Sequence, residues 1–284
     1  MRSASKTTAR FVPGDPRIDA VGVGHQTAVA PRIVSLVPSV TELLFALDLG
    51  ERVVGRTVFC VHPKDRIGDV PSVGGTKSIN IAKLRRLAPT HIVVNIDETP
   101  RALADELTNE GYEIVVTHPV EVRDNLALYR LLGNTFARIE AAEALCQRFE
   151  DAIASAQATA AERPRRSALY LIWKNPWMTV ARDTYISRML ALAGIDTLPA
   201  LADRRYPQME IDDALLDRCH LVLLSSEPFP FDEHHRQEFI EAHPQHSAKV
   251  HPIDAQMVSW YGSRAISGLT YLAQFTDSLK EEAA

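Results

Sequence analysis

The chain has 284 residues, of which 46% are hydrophobic and 24% are charged, and its formal net charge is −5 at pH 7. This length supports one large or two mid-sized domains with sizeable cores. The mildly acidic balance argues against a nucleic-acid-binding surface, which needs clustered basic side chains. The three cysteines are widely spaced and form neither a disulfide framework nor a zinc motif.

The N-terminal segment is basic at its start but lacks the continuous apolar stretch of a signal peptide. Asp19, His25 and Gln26 interrupt its apolar residues, and no run in the chain is long enough to span a membrane. The sequence as written therefore predicts a cytoplasmic protein. A periplasmic location would follow if the true N-terminus lies upstream or was trimmed. Residues 1–30 are predicted to form a mobile tail.

The next part of the chain alternates between short apolar runs and helical periodicity. Such alternation predicts a parallel sheet covered by helices, and we expect a first α/β lobe over residues 31–121. The predicted strands are 32–37, 52–59, 91–96 and 112–117, and the predicted helices are 40–50, 80–88 and 100–111.

The alternation stops between Arg123 and Glu162, where leucines and other apolar residues recur at helical spacing. No proline interrupts this segment, and Gly133 is its one glycine. The pattern predicts a single helix of about 37 residues, roughly 55 Å long. We expect it to link two lobes over residues 122–163.

A second alternating region follows and predicts a second α/β lobe over residues 164–284. The predicted fold is thus two doubly wound α/β lobes with mostly parallel sheets, joined by a single long backbone helix. The second lobe's predicted strands are 168–173, 220–226 and 249–253, and its predicted helices are 184–194, 210–218, 232–242 and 262–279.

Aromatic residues gather after the predicted strands, where open parallel sheets bind their ligands. Trp177 and Trp260 lie outside regular structure and favour ligand contact, whereas Trp173 and Phe229 could instead pack inside the lobe. Two cations accompany these rings, so the pattern indicates a clamp for a large, flat, partly polar ligand. The candidate contacts are Phe59, Cys60, Trp173, Trp177, Arg182, Phe229, Trp260, Tyr261 and Arg264.

Catalytic and metal sites are less favoured by the sequence. Histidines and aspartates stand one per loop after the strands, and no HxH or HExxH motif joins them. Neither a GxSxG elbow nor a phosphate-binding loop is present. Cys60, close to His62, could be a thiolate nucleophile, but a residue lining the ligand is the preferred interpretation. We expect no catalytic residues, no bound metal and no intrinsic cofactor.

Several segments resemble the periplasmic substrate-binding proteins with a helical backbone, which serve ABC importers of cobalamin, haem and ferric siderophores. The resemblance is closest to the cobalamin-binding branch. It implies two lobes with a shallow cleft and capture of a macrocycle or chelate without catalysis. It also implies ligand contacts at Phe59, Cys60, Trp173, Trp177, Phe229, Trp260 and Tyr261. The segments are "PRIVSLVPSVTELLFALDLGERVVGRTVFCVHP", "VPSVGG", "INIAKLRRLAPTHIVV" and "SWYGSR".

One departure from this family concerns docking to a membrane permease. The resemblance implies one acidic residue per lobe that pairs with permease arginines, but Ala82 stands at that position in the first lobe. The nearby basic residues would repel an arginine. The second lobe keeps acids at Glu210, Asp212 and Asp213.

The sequence therefore predicts a non-catalytic protein that binds a corrinoid or a similar flat metal chelate, for ABC-type uptake or a derived intracellular role. A haem or ferric-siderophore binder is the alternative, and additional cationic residues such as Arg204 and Arg205 favour it. An enzyme that uses Cys60 or a bound metal is the alternative from another class.

Overall fold

The structure is a computed structural model that describes residues 14–76, 78–200 and 202–281. The chain divides into two compact units. The first contains the described residues up to His118 together with Leu126–Cys146. The second contains Pro119–Asn125 and the described residues from Gln147 onwards.

The first unit is built on a four-stranded parallel sheet in the order β2-β1-β3-β4. The two central strands, β1 and β3, are buried along their whole length, as expected where helices cover both faces of a parallel sheet. This confirms the predicted alternation. The elements are β1 (Ile33–Ser35), α1 (Pro38–Ala46), β2 (Val53–Arg56), α2 (Ile81–Arg86), β3 (His91–Asn95), α3 (Arg101–Asn109) and β4 (Glu113–Thr117).

The segment predicted as one long helix is two helices, α4 (Asp124–Thr135) and α5 (Ile139–Ala161). The predicted unbroken helix of about 37 residues is therefore wrong, and α5 alone is the helix that runs from one unit into the other. Ala137 adopts a left-handed conformation with φ of 55°, which ends α4. The apolar spacing hides this break, because it continues in both helices.

The first turns of α5 fold back antiparallel onto α4. A side chain at Gly133 would bring its Cβ within 2.4 Å of the Ala142 Cβ, so glycine is what allows this approach. Arg130 also donates from Nε to Glu143 Oε1 at 2.8 Å across the pair. The remainder of α5, from Gln147, belongs to the second unit. The connecting helix thus has 23 residues, about 35 Å, instead of 37.

The second unit is built on a sheet in the order β6-β5-β8-β9, with β7 also paired to β5. All pairs are parallel except β5 with β6, so the predicted mostly parallel sheet is confirmed. The elements are β5 (Arg166–Trp173), β6 (Met178–Thr179), α6 (Tyr185–Leu192), β7 (Ile195–Thr197), α7 (Asp213–Asp217), β8 (Leu221–Ser225), α8 (Glu233–Ala242), β9 (Val250–Ile253), α9 (Ala255–Ser259) and α10 (Arg264–Glu281).

Alternate strand residues of the second unit face a core that α8 covers. Leu169 and Leu171 of β5 pack with Val222 and Leu224 of β8, and Phe239 of α8 closes the cluster. Burial of these side chains contributes about 1.5–3 kcal/mol each.

No helix in the described ranges is long and apolar enough to cross a membrane.

Residues 14–30 are packed onto the first unit, which corrects the prediction of a mobile tail there; residues 1–13 lie outside the described residues. His25 is fully buried, and its ring nitrogens lie 2.8 Å from Glu113 Oε1 and 3.2 Å from Asp19 Oδ2. Asp19 also accepts a hydrogen bond from the Val116 amide of β4 at 3.0 Å. Periodicity and local motifs do not predict this contact, because 88 residues separate His25 from Glu113.

These contacts make the stability of the first unit depend on pH. Burial alone would lower the pKa of His25, but the hydrogen bonds to the Asp19 and Glu113 carboxylates outweigh it and raise the pKa above its ordinary value. A raised histidine pKa stabilises the folded state fully below the unfolded pKa of about 6.5. That stabilisation is lost as pH rises through the folded pKa.

We predict that the thermal unfolding midpoint falls as pH rises from about 6 to about 9, and falls less steeply in the His25→Gln variant. Circular dichroism melts across this range measure both slopes. The matched control is His234→Gln, because His234 is largely exposed and its change should leave the slope as in the wild type. Equal slopes for His25→Gln and the wild type would contradict the assignment.

Candidate functional site

The loops after β5, β8 and β9 of the second unit leave one edge of the sheet. These three strands are adjacent and parallel, so their carboxyl ends lie side by side. Trp173 ends β5, Glu227 follows β8, and Trp260 follows the short helix after β9. The sheet therefore places these side chains along one edge, which we call the aromatic edge.

Glu227 organises the polar contacts of the aromatic edge. Its Oε1 accepts a hydrogen bond from Gln256 Nε2 at 2.7 Å, and its Oε2 accepts one from Trp260 Nε1 at 3.3 Å. The Ser225 hydroxyl, at the end of β8, donates to the Glu227 carbonyl at 2.8 Å. Glu227 was not among the predicted contacts. Its position between the predicted strand 220–226 and the aromatic residues Phe229 and Phe231 was the available signal.

The Trp260 ring is held between this carboxylate and a cation. The Arg264 guanidinium lies 5.3 Å from the centre of the Trp260 ring, within the range of a cation–π interaction. Trp260 remains half-buried. The arrangement fixes the orientation of the indole and keeps both a cation and an anion in contact with it.

The backbone after Trp260 is anchored on a buried amide. Asn125 is fully buried; its Oδ1 accepts from the Gly262 amide at 2.6 Å, and its Nδ2 donates to the Tyr185 hydroxyl at 2.9 Å. Gly262 has φ of 80°, a conformation that favours glycine. The Tyr261 ring meets Tyr185 edge-on at 6.1 Å. Tyr261 is thus a half-buried support of the loop as well as a candidate contact.

Trp173 and Trp177, both candidate contacts, differ in their exposure. Trp173 is 40% exposed and meets Phe229 edge-on at 5.6 Å. Trp177 stacks on Phe231 at 6.0 Å and meets Phe239 edge-on at 5.8 Å, so it packs against the core. Phe229 is half-buried between the exposed ring and this core. Trp173 is therefore the more accessible of the two tryptophans.

Arg182 is exposed in the loop before α6. Its charge acts with the hydrogen-bonded Arg165 to lower the pKa of Asp196 on β7. The contacts of the aromatic edge described above involve Arg264, and the structure does not bring Arg182 into them.

The loop after β2 gives the first unit an exposed apolar surface. Phe59 is 56% exposed and is flanked by the exposed side chains of Val58 and Val61. Gly75 lies close to the Phe59 ring: a Cβ atom added at Gly75 would lie 3.4 Å from Phe59 Cε2. Phe59 is thus placed as a ligand contact requires.

Cys60 does not share this exposure, which corrects its prediction as a ligand contact. Its side chain is fully buried, with the sulfur 3.0 Å from Thr41 Oγ1 and 3.2 Å from Thr57 Oγ1. Burial raises the pKa of the thiol despite these hydroxyls. A buried, protonated thiol is a poor nucleophile, so the geometry opposes the Cys60 enzyme alternative.

The described residues hold no group of three or more histidine, cysteine or acidic side chains that could bind a metal ion. At the carboxyl ends of the strands of the first unit, His118 Nε2 and Asp97 Oδ2 form a pair at 3.3 Å. Two such groups do not complete a metal site.

The three predicted docking acids differ in their surroundings. Glu210 is exposed. Asp212 caps α7 by accepting a hydrogen bond from the Leu215 amide at 2.8 Å. Asp213 Oδ1 lies 3.4 Å from His243 Nδ1 and 3.5 Å from His246 Nε2.

Ala82 lies in the first turn of α2, which contains no acidic residue. The basic residues Lys83, Arg85 and Arg86 occupy the same helix.

Solved structures of other proteins share this fold. The structure of the periplasmic vitamin B12-binding protein BtuF of Vibrio cholerae superposes with a TM-score of 0.77 at 19% identity, covering 89% of this chain and 98% of that one. The periplasmic heme-binding protein RhuT from Roseiflexus sp. RS-1 gives a TM-score of 0.73 at 20% identity, covering 90% of this chain and all of that one. At such low identity these matches establish the fold.

Sequence comparison extends to a curated relative. The chain is 28% identical over 201 residues to a vitamin B12-binding protein of Vibrio cholerae, covering 69% of this chain and 71% of the relative. The family described as "Periplasmic binding protein" matches residues 33–244, which span most of both units. The chain belongs to the periplasmic binding protein family.

Proposed function

We propose that this protein is a non-catalytic substrate-binding protein that captures a corrinoid or a similarly flat metal chelate for ABC-type uptake. The observation that carries the proposal is the aromatic edge, where Trp260 is oriented between Glu227 and Arg264. Family membership and the vitamin B12-binding relative support the same interpretation.

The chemistry of the aromatic edge suits a macrocycle rimmed with amides. Exposed ring area on Trp173 and Trp260 offers stacking, which adds about 0.5–1.5 kcal/mol per contact beyond area burial. The Arg264 guanidinium donates hydrogen bonds to acceptor groups of a ligand. The Glu227 carboxylate accepts hydrogen bonds from donor groups of the ligand. A corrinoid carries amide groups that both donate and accept, so it can satisfy both side chains.

Haem is the second candidate, because heme-binding proteins are among the structural neighbours and Arg264 suits a carboxylate. Haem propionates, however, are acceptors only, and the Glu227 carboxylate repels them. We therefore rank the amide-bearing corrinoid above haem for this edge. A ferric siderophore is a further candidate ligand and is tested beside haem.

The first unit contributes its exposed Phe59 surface to the proposal. Cys60 contributes no side-chain contact, because it is buried. No catalytic role is assigned, since the similar proteins are named as binding proteins and burial raises the pKa of the Cys60 thiol.

Docking to a permease is proposed through the second unit. Glu210 is exposed and can pair with a permease arginine, whereas Asp213 is shared with His243 and His246. The basic α2 of the first unit offers no such acid in its first turn. Family membership favours a periplasmic location for this interaction over a cytoplasmic one.

We predict that Trp260→Ala weakens cyanocobalamin binding by roughly tenfold or more, because tenfold corresponds to about 1.4 kcal/mol and a stacked, oriented indole contributes at least that. Tryptophan fluorescence titration, run in parallel with hemin and a ferric siderophore, measures the dissociation constants. The thermal midpoint should change little, since Trp260 is half-buried at the surface of its loop.

The matched control is Tyr206→Ala. Tyr206 is also a partly exposed aromatic residue of the second unit with an arginine over its ring, but it lies between β7 and α7 and not in the loops after β5, β8 or β9. Its affinity should equal that of the wild type. Wild-type protein that binds hemin or a siderophore but not cyanocobalamin would overturn the corrinoid assignment. An unchanged affinity in Trp260→Ala would overturn the assigned site.

We also predict that the native protein reacts slowly with a thiol reagent at pH 8, because Cys60, Cys146 and Cys219 are all buried. Burial raises the pKa of the Cys60 and Cys219 thiols, so little thiolate is present. Absorbance with Ellman's reagent measures the rate, and unfolding in guanidinium should release all three thiols. One native thiol that reacts at once and disappears in Cys60→Ser would revive the nucleophile alternative.

A further inference from the structure

A cavity of about 640 Å³ lies wholly within the first unit, on the side of α3. We call it the α3 cavity. Its walls are α3, the ends of β3 and β4, and the N-terminal segment around Val21. The Phe59 loop follows β2, and β2 and β4 are the two opposite edges of the sheet. The α3 cavity is therefore separate from the Phe59 surface.

Most of the cavity wall is apolar. Val21 and Val23 of the N-terminal segment and Ile96 after β3 line it and are about half exposed. The Asp19 carboxylate fixes the two valines by accepting hydrogen bonds from both of their amides, at 3.0 and 2.9 Å. A folded segment thus holds apolar side chains against an open cavity of a volume typical of small-molecule sites.

One end of the cavity contains a polar group without a hydrogen-bond partner. Thr99 is only 6% exposed, and its hydroxyl has no hydrogen-bond partner although it lines the cavity. A buried hydroxyl without a partner costs free energy unless a ligand or water satisfies it. The Thr99 hydroxyl is therefore an unsatisfied polar group in the cavity wall.

The same end presents the N-terminus of α3. Its N-cap residue is Pro100, no side chain caps the helix, and no acidic residue stands in the first turn. The first amides of a helix have no intrahelical partner and carry a partial positive charge. Arg101, at the first helical position, adds a full positive charge where acidic residues are usual. This end of the cavity is electrically suited to an anion.

The face of α3 toward the cavity leaves space for a ligand. Arg101, Ala104, Asp105 and Thr108 lie at helical spacing along it, and the small Ala104 side chain leaves the middle open. Arg101 pairs with Asp105 at 3.7 Å, but both side chains are strongly exposed, so the pair is weak. Glu113, the other acid on the wall, is held by His25.

We propose that the α3 cavity binds an amphiphilic monocarboxylate: its carboxylate lies at Thr99, Arg101 and the N-terminus of α3, and its apolar chain lies against Val21, Val23 and Ile96. A single negative charge matches the single cation. A dianion would meet Asp105 and Glu113 and is excluded. This site is independent of the proposed chelate binding at the aromatic edge.

Titration calorimetry of the full chain with decanoate, below its critical micelle concentration, tests the proposal. We expect saturable binding at one site, weakened roughly five- to tenfold in Thr99→Val, which removes the hydroxyl but keeps the shape. Ala104→Phe should abolish binding by filling the cavity. Decanol, with the same chain and no charge, should bind more weakly than decanoate.

The matched control is Thr108→Val. This residue lines the same cavity, but its hydroxyl already donates to the Ala104 carbonyl at 2.8 Å, so the affinity should not change. Binding should also persist in Trp260→Ala, which separates this site from the aromatic edge. No saturable heat, equal affinity in Thr99→Val and wild type, or equal affinity for decanol would overturn the proposal. If Ala104→Phe fails to fold, the Thr99→Val result decides.

Discussion

The parallel pairing of β5, β8 and β9 is the constraint on which the proposed function depends. It brings three separate loops to one sheet edge, but it does not orient their side chains. Two polar anchors do that. Glu227 holds the indole of Trp260, and the buried Asn125 amide holds the backbone at Gly262. Removing either anchor would leave the aromatic residues at the edge without fixing the ring surface that a flat ligand needs.

The two units use their sheet edges differently. The second unit orients aromatic rings with polar contacts, whereas the first unit has an exposed apolar loop around Phe59 at its β2 side. At the opposite side, the N-terminal segment pairs with β4 through Ala20 and Val116, which protects an edge strand that would otherwise be open to other chains. The His25 and Asp19 contacts hold this segment in place. Val21 and Val23 of the same segment form one wall of the α3 cavity.

The sequence predicted the alternation of elements well, because buried parallel strands are continuous apolar runs and helices show their own period. It missed the break at Ala137, which neither glycine nor proline marks. It also did not predict that Trp173 is more exposed than Trp177, since the position of a loop side chain depends on distant partners such as Phe231 and Phe239. Cys60 and Phe59 are a similar case, because Cys60 is fully buried and the adjacent Phe59 is exposed. No periodic pattern in a loop specifies which of two adjacent side chains is buried.

The proposed capture of a flat chelate requires that the ligand contact the rings of Trp173 and Trp260 and not Trp177, which packs against the core. The indole N–H signals in a ¹H–¹⁵N spectrum test it directly, because the chain has three tryptophans, which Trp→Phe variants assign. With saturating cyanocobalamin, we expect shifts of the Trp260 and Trp173 signals and little change in the Trp177 signal. A shift confined to Trp177, or unchanged signals at saturation, would contradict it.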